Sequence, residues 1–63
     1  MDVIKEINAA EAFGIIDDPL KAEPGLFLHE DNGLYVGIDN TTHDAWTEEF
    51  STKKDCLNWL GGE

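Results

Sequence analysis

The sequence has no arginine, only four lysines, a single cysteine and no long apolar run. Each shortage excludes something. Contacts to the phosphates of DNA or RNA are made chiefly by Arg and Lys, so a chain this poor in both lacks a surface for binding nucleic acid directly. Anionic membranes are disfavoured on the same ground. Cys56 has no partner for an internal disulfide, and its solitary use points to a reducing compartment. No apolar stretch approaches the roughly 18 residues of a membrane helix. The opening Met1-Asp2-Val3-Ile4-Lys5-Glu6 has neither the basic region nor the apolar region of a signal peptide. These absences predict a cytoplasmic protein.

Acid is what the chain has in excess. Fourteen Asp and Glu against four Lys leave a formal net charge of -10 at pH 7 in 63 residues. A field of that sign keeps a small protein soluble and steers basic partners toward it. The length predicts one small domain, residues 1 to 63, with a limited core. Without a disulfide, its support comes from packing or from self-association. The expected partner is therefore a basic or neutral protein, or a second copy in a homodimer.

The apolar spacing of Val3, Ile4, Ile7, Ala10 and Phe13 fits a helical stripe and favours one helix within residues 2 to 14, ended by Gly14. A competing reading keeps Val3 to Ile7 extended and starts the helix at a capping box, Asn8-Ala9-Ala10-Glu11. The prolines of Asp17-Asp18-Pro19 and Glu23-Pro24-Gly25 make residues 17 to 25 a loop.

From Leu26 the period changes to two. Leu26-Phe27-Leu28-His29-Glu30-Asp31 and Leu34-Tyr35-Val36-Gly37-Ile38-Asp39 flank Asn32-Gly33, the pair that tolerates positive φ in a type I′ turn. With those two residues at the tip, partners sum to 65. Phe27, His29, Leu34, Val36 and Ile38 then share one face, and Leu26, Leu28, Glu30, Tyr35 and Gly37 the other. After a turn at residues 40 to 44, Ala45-Trp46-Thr47-Glu48-Glu49-Phe50 reads as a third strand, with Trp46 and Phe50 on the face of Glu48. Thr52-Lys53-Lys54-Asp55 starts a last helix as a capping box, Cys56, Leu57, Trp59 and Leu60 give it a stripe, and Gly61-Gly62 stop it. The expected architecture is α+β in the order α-β-β-β-α. Its sheet is a three-stranded antiparallel meander covered by helices on one face.

Motifs that carry chemistry do not assemble. An EF-hand loop needs acids at alternate positions and Gly at the sixth, where the segment from Asp39 has Asp44. A closed zinc site wants about four Cys or His ligands, and only His29, His43 and Cys56 exist, spread over strand, turn and helix. His29 reads as a partly buried hairpin residue and His43 as a solvated turn residue. Cys56 reads as a buried, inert thiol on an apolar stripe. The adjacent pairs Asp17-Asp18 and Glu48-Glu49 have no local geometry for acid-base work. Phosphate-loop, nucleophile-elbow and His-Glu-x-x-His patterns do not occur. The expectation is a protein that is not an enzyme and uses no cofactor and no metal.

If both helices cover one face, Leu26, Leu28 and Tyr35 are left as an apolar strip on the other, rimmed by Glu30 and Asp39. That strip, with Glu48 and Glu49, is the candidate binding surface.

The helix, meander, helix order and Ser51-Thr52-Lys53-Lys54 at the head of the last helix resemble double-stranded-RNA-binding domains, whereas the acidity and Asp55 depart from their basic surface. The stretch from Leu34 to Leu60, with Tyr-Val-Gly-Ile-Asp-Asn, Ala-Trp-Thr-Glu-Glu-Phe and Cys-Leu-Asn-Trp-Leu, is similar to small uncharacterised acidic proteins of Gram-positive bacteria and their phages. That likeness implies no known activity. The function expected is a non-catalytic, acidic protein-protein interaction or regulatory module. Its sharper form is a nucleic-acid mimic whose carboxylates block a basic groove, and its alternative is a small structural homo-oligomer.

Overall fold

The computed structural model describes residues 3–61. The elements run β1 (Ile4–Glu6), α1 (Ala9–Asp17), β2 (Leu26–Asp31), β3 (Leu34–Asp39), β4 (Trp46–Phe50) and α2 (Lys53–Gly61). The domain is α+β, but its sheet has four strands in the order β1-β2-β3-β4 and is mixed, because β1 runs parallel to β2. No helix among the described residues is long and apolar enough to cross a membrane.

The hairpin forms as its turn chemistry dictates. Asn32 and Gly33 take φ of 53° and 83°, and the pairs from Leu26↔Asp39 to Asp31↔Leu34 all sum to 65. β4 then pairs with β3, from Tyr35↔Phe50 to Asp39↔Trp46, which places Trp46, Glu48 and Phe50 on one face.

The expected single helix over residues 2 to 14 is replaced by β1 and α1. Asp2, like Gly62 at the other end, lies outside the described residues. The local cause of the break is the capping box: Glu11 N donates to Asn8 Oδ1 at 2.8 Å and Asn8 N donates to Glu11 Oε1 at 3.2 Å. Upstream of the cap, Ile4, Lys5 and Glu6 gain ladder partners in Leu26, Phe27 and Leu28. Gly14 does not end the helix, which continues because Ile15 is buried beyond it. Its stop is Asp18, whose backbone leaves the helical region ahead of Pro19. At α2, Asp55 N donates to the Thr52 hydroxyl at 3.2 Å, the forward half of the expected box.

The two helices cover opposite faces of the sheet, which corrects the one-face expectation. Ala12 and Ile15 of α1 pack with Phe27, Val36 and Ile38, while Cys56 and Leu60 of α2 pack with Leu26 and Leu28. The physical reason lies in β2, whose first four residues are all buried. A strand with apolar side chains on both faces requires a layer on each. Gly37 of β3 sits directly beneath α2, where a Cβ would lie 3.0 Å from the Trp59 ring and 3.1 Å from Cys56 Sγ. Trp59 is held in turn against Phe50, ring centroids 5.8 Å apart.

Asn40, read from sequence as part of a turn, is fully buried. Its side-chain amide donates to Pro19 O at 3.2 Å and Glu23 O at 3.1 Å, and its side-chain oxygen accepts from Ala45 N at 3.1 Å. Its backbone N donates to Gly25 O at 2.8 Å. His43 adds a ring contact, Nδ1 to Pro19 O at 3.0 Å, so it is a part-buried brace rather than the solvated residue expected.

Two outcomes follow from these contacts. Asn40→Ala strands two carbonyls and one amide and is expected to cost about 2 to 4 kcal/mol, read as the shift in a denaturant midpoint at constant slope. Gly37→Ala forces the α2 contact apart and is expected to cost about 1 to 3 kcal/mol; unchanged thermal stability of that variant would show that α2 does not press on β3.

Candidate functional site

The candidate strip does not survive as a surface. Leu26 and Leu28 are 6% and 2% exposed, and Tyr35 is half-buried against the same cluster, because α2 occupies that face. Of the rim residues, Glu30 remains exposed and pairs across from Tyr35, while the Asp39 carboxylate accepts from Thr41 N and the Thr41 hydroxyl at 3.0 and 2.6 Å. Glu48 and Glu49 are both exposed, but the pleat sends them to opposite faces: Glu48 opposes Gly37 on the α2 side and Glu49 opposes Val36 on the α1 side. Of the expected surface, Glu30, Glu48 and Glu49 are exposed and the two leucines are covered.

The open surface lies on the α1 side. Strands are spaced about 4.8 Å apart and a helix is about 10 Å wide, so one helix covers roughly two strands of four. α1 packs over β2 and, through Val36 and Ile38, over part of β3. Beside it, a groove of about 370 Å³ opens toward β4, walled by Phe13 and Ile16 and floored by His29, Val36 and Thr47. Asp31, Glu48 and Glu49 complete the lining. Phe13 is 67% exposed and Ile16 43%, although both are large apolar side chains.

Nothing neutralises the acids of this groove. Lys5 pairs with Glu23, Lys21 with Asp18 and Lys53 with Glu6, so among the described residues Asp31, Glu48 and Glu49 have no ion-pair partner. The Lys53 to Glu6 contact, 2.6 Å, also holds the ammonium above its ordinary pKa by hydrogen bond and charge. His29 is 6% exposed, and its Nδ1 is closed off from water without any hydrogen-bond partner. Buried polar atoms of that kind are uncommon.

Sequence reasoning missed Phe13 and Ile16 by placing Phe13 on the helical stripe and ending the helix at Gly14. A signal was available. In Ala9–Asp17 the pair Ala12 and Ile15 suffices to meet a sheet, so a second i, i+3 pair one residue on describes a helix apolar over more than its contact face.

A second cleft, about 430 Å³, lies on the other flank of α1 between the helix and the loop at residues 18–25, lined by Ile7, Gly14, Ile15, Ala22 and Phe27 among others. Its polar rim is already engaged: Glu11 in the capping box, Asp18 with Lys21 and Glu23 with Lys5. Among the described residues no three His, Cys, Asp or Glu side chains converge as a metal-ion cluster.

Cys56 is fully buried, and burial raises its thiol above the ordinary cysteine value. Compared with known proteins, the chain matches no protein family, no curated protein and no solved structure.

The buried thiol sets a pH dependence. The unfolded chain loses the Cys56 proton first, near its usual value of about 8.5, so stability is unaffected below that pH and falls as pH rises toward the folded value. Cys56→Ala is expected to remove this alkaline slope, and alkylation of the parent at pH 7.5 is expected to require unfolding; labelling as fast as a free thiol peptide would place Cys56 at the surface.

Proposed function

We propose that the chain is a non-catalytic, acidic protein-binding module that docks a basic partner over the open half of the α1 face. One observation carries the reading: a groove with exposed Phe13 and Ile16 on its wall and two carboxylates on its face, Asp31 and Glu49, that find no ion-pair partner within the described residues. Exposed apolar surface beside polar rims marks association sites, and an uncompensated acidic rim selects for Lys and Arg on the partner. In the nucleic-acid-mimic form of this reading, those carboxylates stand where phosphates would lie in the partner's basic groove. Self-association is less well supported, because a second copy placed on the groove brings like charges together.

The test compares affinity capture by the parent and by Phe13→Ser/Glu49→Lys, both substitutions at exposed positions. The parent is expected to retain a basic protein that elutes about tenfold more readily between 0.05 and 0.3 M salt, while the variant retains none at equal thermal stability. Equal capture by both chains would remove the groove from the function. Sedimentation as a monomer at both salt concentrations is expected alongside, and a dimer that tightens with salt would favour the homo-oligomer.

A further inference from the structure

The pleat leaves Glu48 on the face opposite the groove, and we infer that this α2 side of β4 seats the guanidinium of a partner's arginine between Glu48 and the exposed Trp46. Parity frames the carboxylate. Trp46 and Phe50 flank Glu48 on the same face, each about 7 Å away along the strand. Across the ladder Glu48 opposes Gly37, whose missing Cβ would lie 3.0 Å from the Trp59 ring, so Trp59 stands over the position beside Glu48. Aromatic residues therefore bound the carboxylate on three sides. The fourth side is the free edge of the sheet, because β4 is its last strand.

The three rings are not equally occupied. Phe50 and Trp59 hold one another, centroids 5.8 Å apart, whereas Trp46 is 65% exposed and stacks on no ring among the described residues. Glu48 is exposed too and has no ion-pair partner among those residues, while Asp39, opposite Trp46, already accepts from Thr41. A bare indole and a bare carboxylate two residues apart on one face select a cation that can use both. Cations are held over an aromatic face within about 6 Å of its centroid. A guanidinium adds a planar fork, which lies flat on the indole while it donates two parallel N–H bonds to the carboxylate; a lysine ammonium, compact and strongly hydrated, has no such fork. The chain contains no arginine, so neither it nor a second copy fills the seat. The occupant is an arginine of a different protein, drawn in by the net charge of -10.

The probe is a blocked Gly-Arg-Gly tripeptide, titrated into isotope-labelled protein and followed by NMR at the indole N–H groups of Trp46 and Trp59. Its lysine and citrulline counterparts are the controls, the second keeping the planar head without the charge. The arginine peptide is expected to shift both indoles saturably, binding about fivefold more tightly than the lysine peptide and about tenfold more tightly than the citrulline peptide. Trp46→Ala, read at Trp59, and Glu48→Gln are both at exposed positions, and each is expected to weaken binding about fivefold with melting unchanged. Glu49→Gln removes the same charge from the other face and Phe13→Ser alters the groove wall; both are expected to leave the affinity unchanged. If the lysine peptide binds equally well, the arginine assignment falls. If Trp46→Ala binds as the parent does, or Glu49→Gln weakens binding as much as Glu48→Gln, the peptide senses only the net field and the seat falls. If no peptide shifts the indoles, the seat falls as well, while the groove on the α1 side stands or fails on its own capture test.

Discussion

The side chain of Asn40 is the constraint on which the remaining arrangement depends. A parallel pairing of β1 with β2 requires the chain to leave β1, cross over the sheet and return, and here the return path is the loop from Asp18 to Gly25. That loop has no apolar anchor of its own comparable to the strands. Its carbonyls at Pro19 and Glu23 are instead held by the Asn40 amide, and the same side chain accepts from Ala45 at the entry to β4. A single buried amide thus ties the α1 exit to the β3–β4 turn. Because each bond is made out of water, losing the side chain leaves several groups unsatisfied at once. The turn pays in backbone strain, with His43 and Ala45 both at positive φ.

How much of this was legible depends on the range of the interaction. The β2–β3 register was readable because Asn32-Gly33 determines the turn and the turn determines the parity of every residue after it. The start of α1 was readable as an alternative because both members of its capping box lie within four residues. The strand β1 was not, because three residues acquire strand character only by pairing with Leu26, Phe27 and Leu28 some twenty positions away. Asn40 was unreadable for the same reason: an Asn after Asp39 looks like turn chemistry, and its partners at 19, 23 and 45 are tertiary.

The misplaced site came from one inference about layers. Parity correctly separated Leu26, Leu28 and Tyr35 from Phe27, Val36 and Ile38, but both sets were apolar, and a strand apolar on both sides belongs to a sheet covered twice. Once α2 is assigned to the leucine face, α1 alone is left for the other. The free surface then lies where α1 ends laterally, toward β4. The acids Asp31 and Glu49 share that face by the same parity, so the charge and the gap coincide for a geometric reason.

The two faces also differ in how closely they follow local rules. On the α2 side a Thr cap receives its amide, Cys56 and Leu60 are buried, and Gly37 is the one residue small enough to sit under Trp59. These choices serve packing. On the α1 side the choices run against stability: a glycine inside the helix with nothing within 4 Å of its missing Cβ, two large apolar side chains in water, and a buried histidine nitrogen without a partner. A helix-interior glycine alone costs about 1 kcal/mol relative to alanine, a measurable fraction of the stability of so small a domain. Departures from local consistency concentrate where a protein does its work. Exposed apolar side chains occur elsewhere too, Trp46 on the α2 side among them, but beside α1 they adjoin the uncompensated carboxylates of Asp31 and Glu49, and that coincidence is what the proposed docking face rests on.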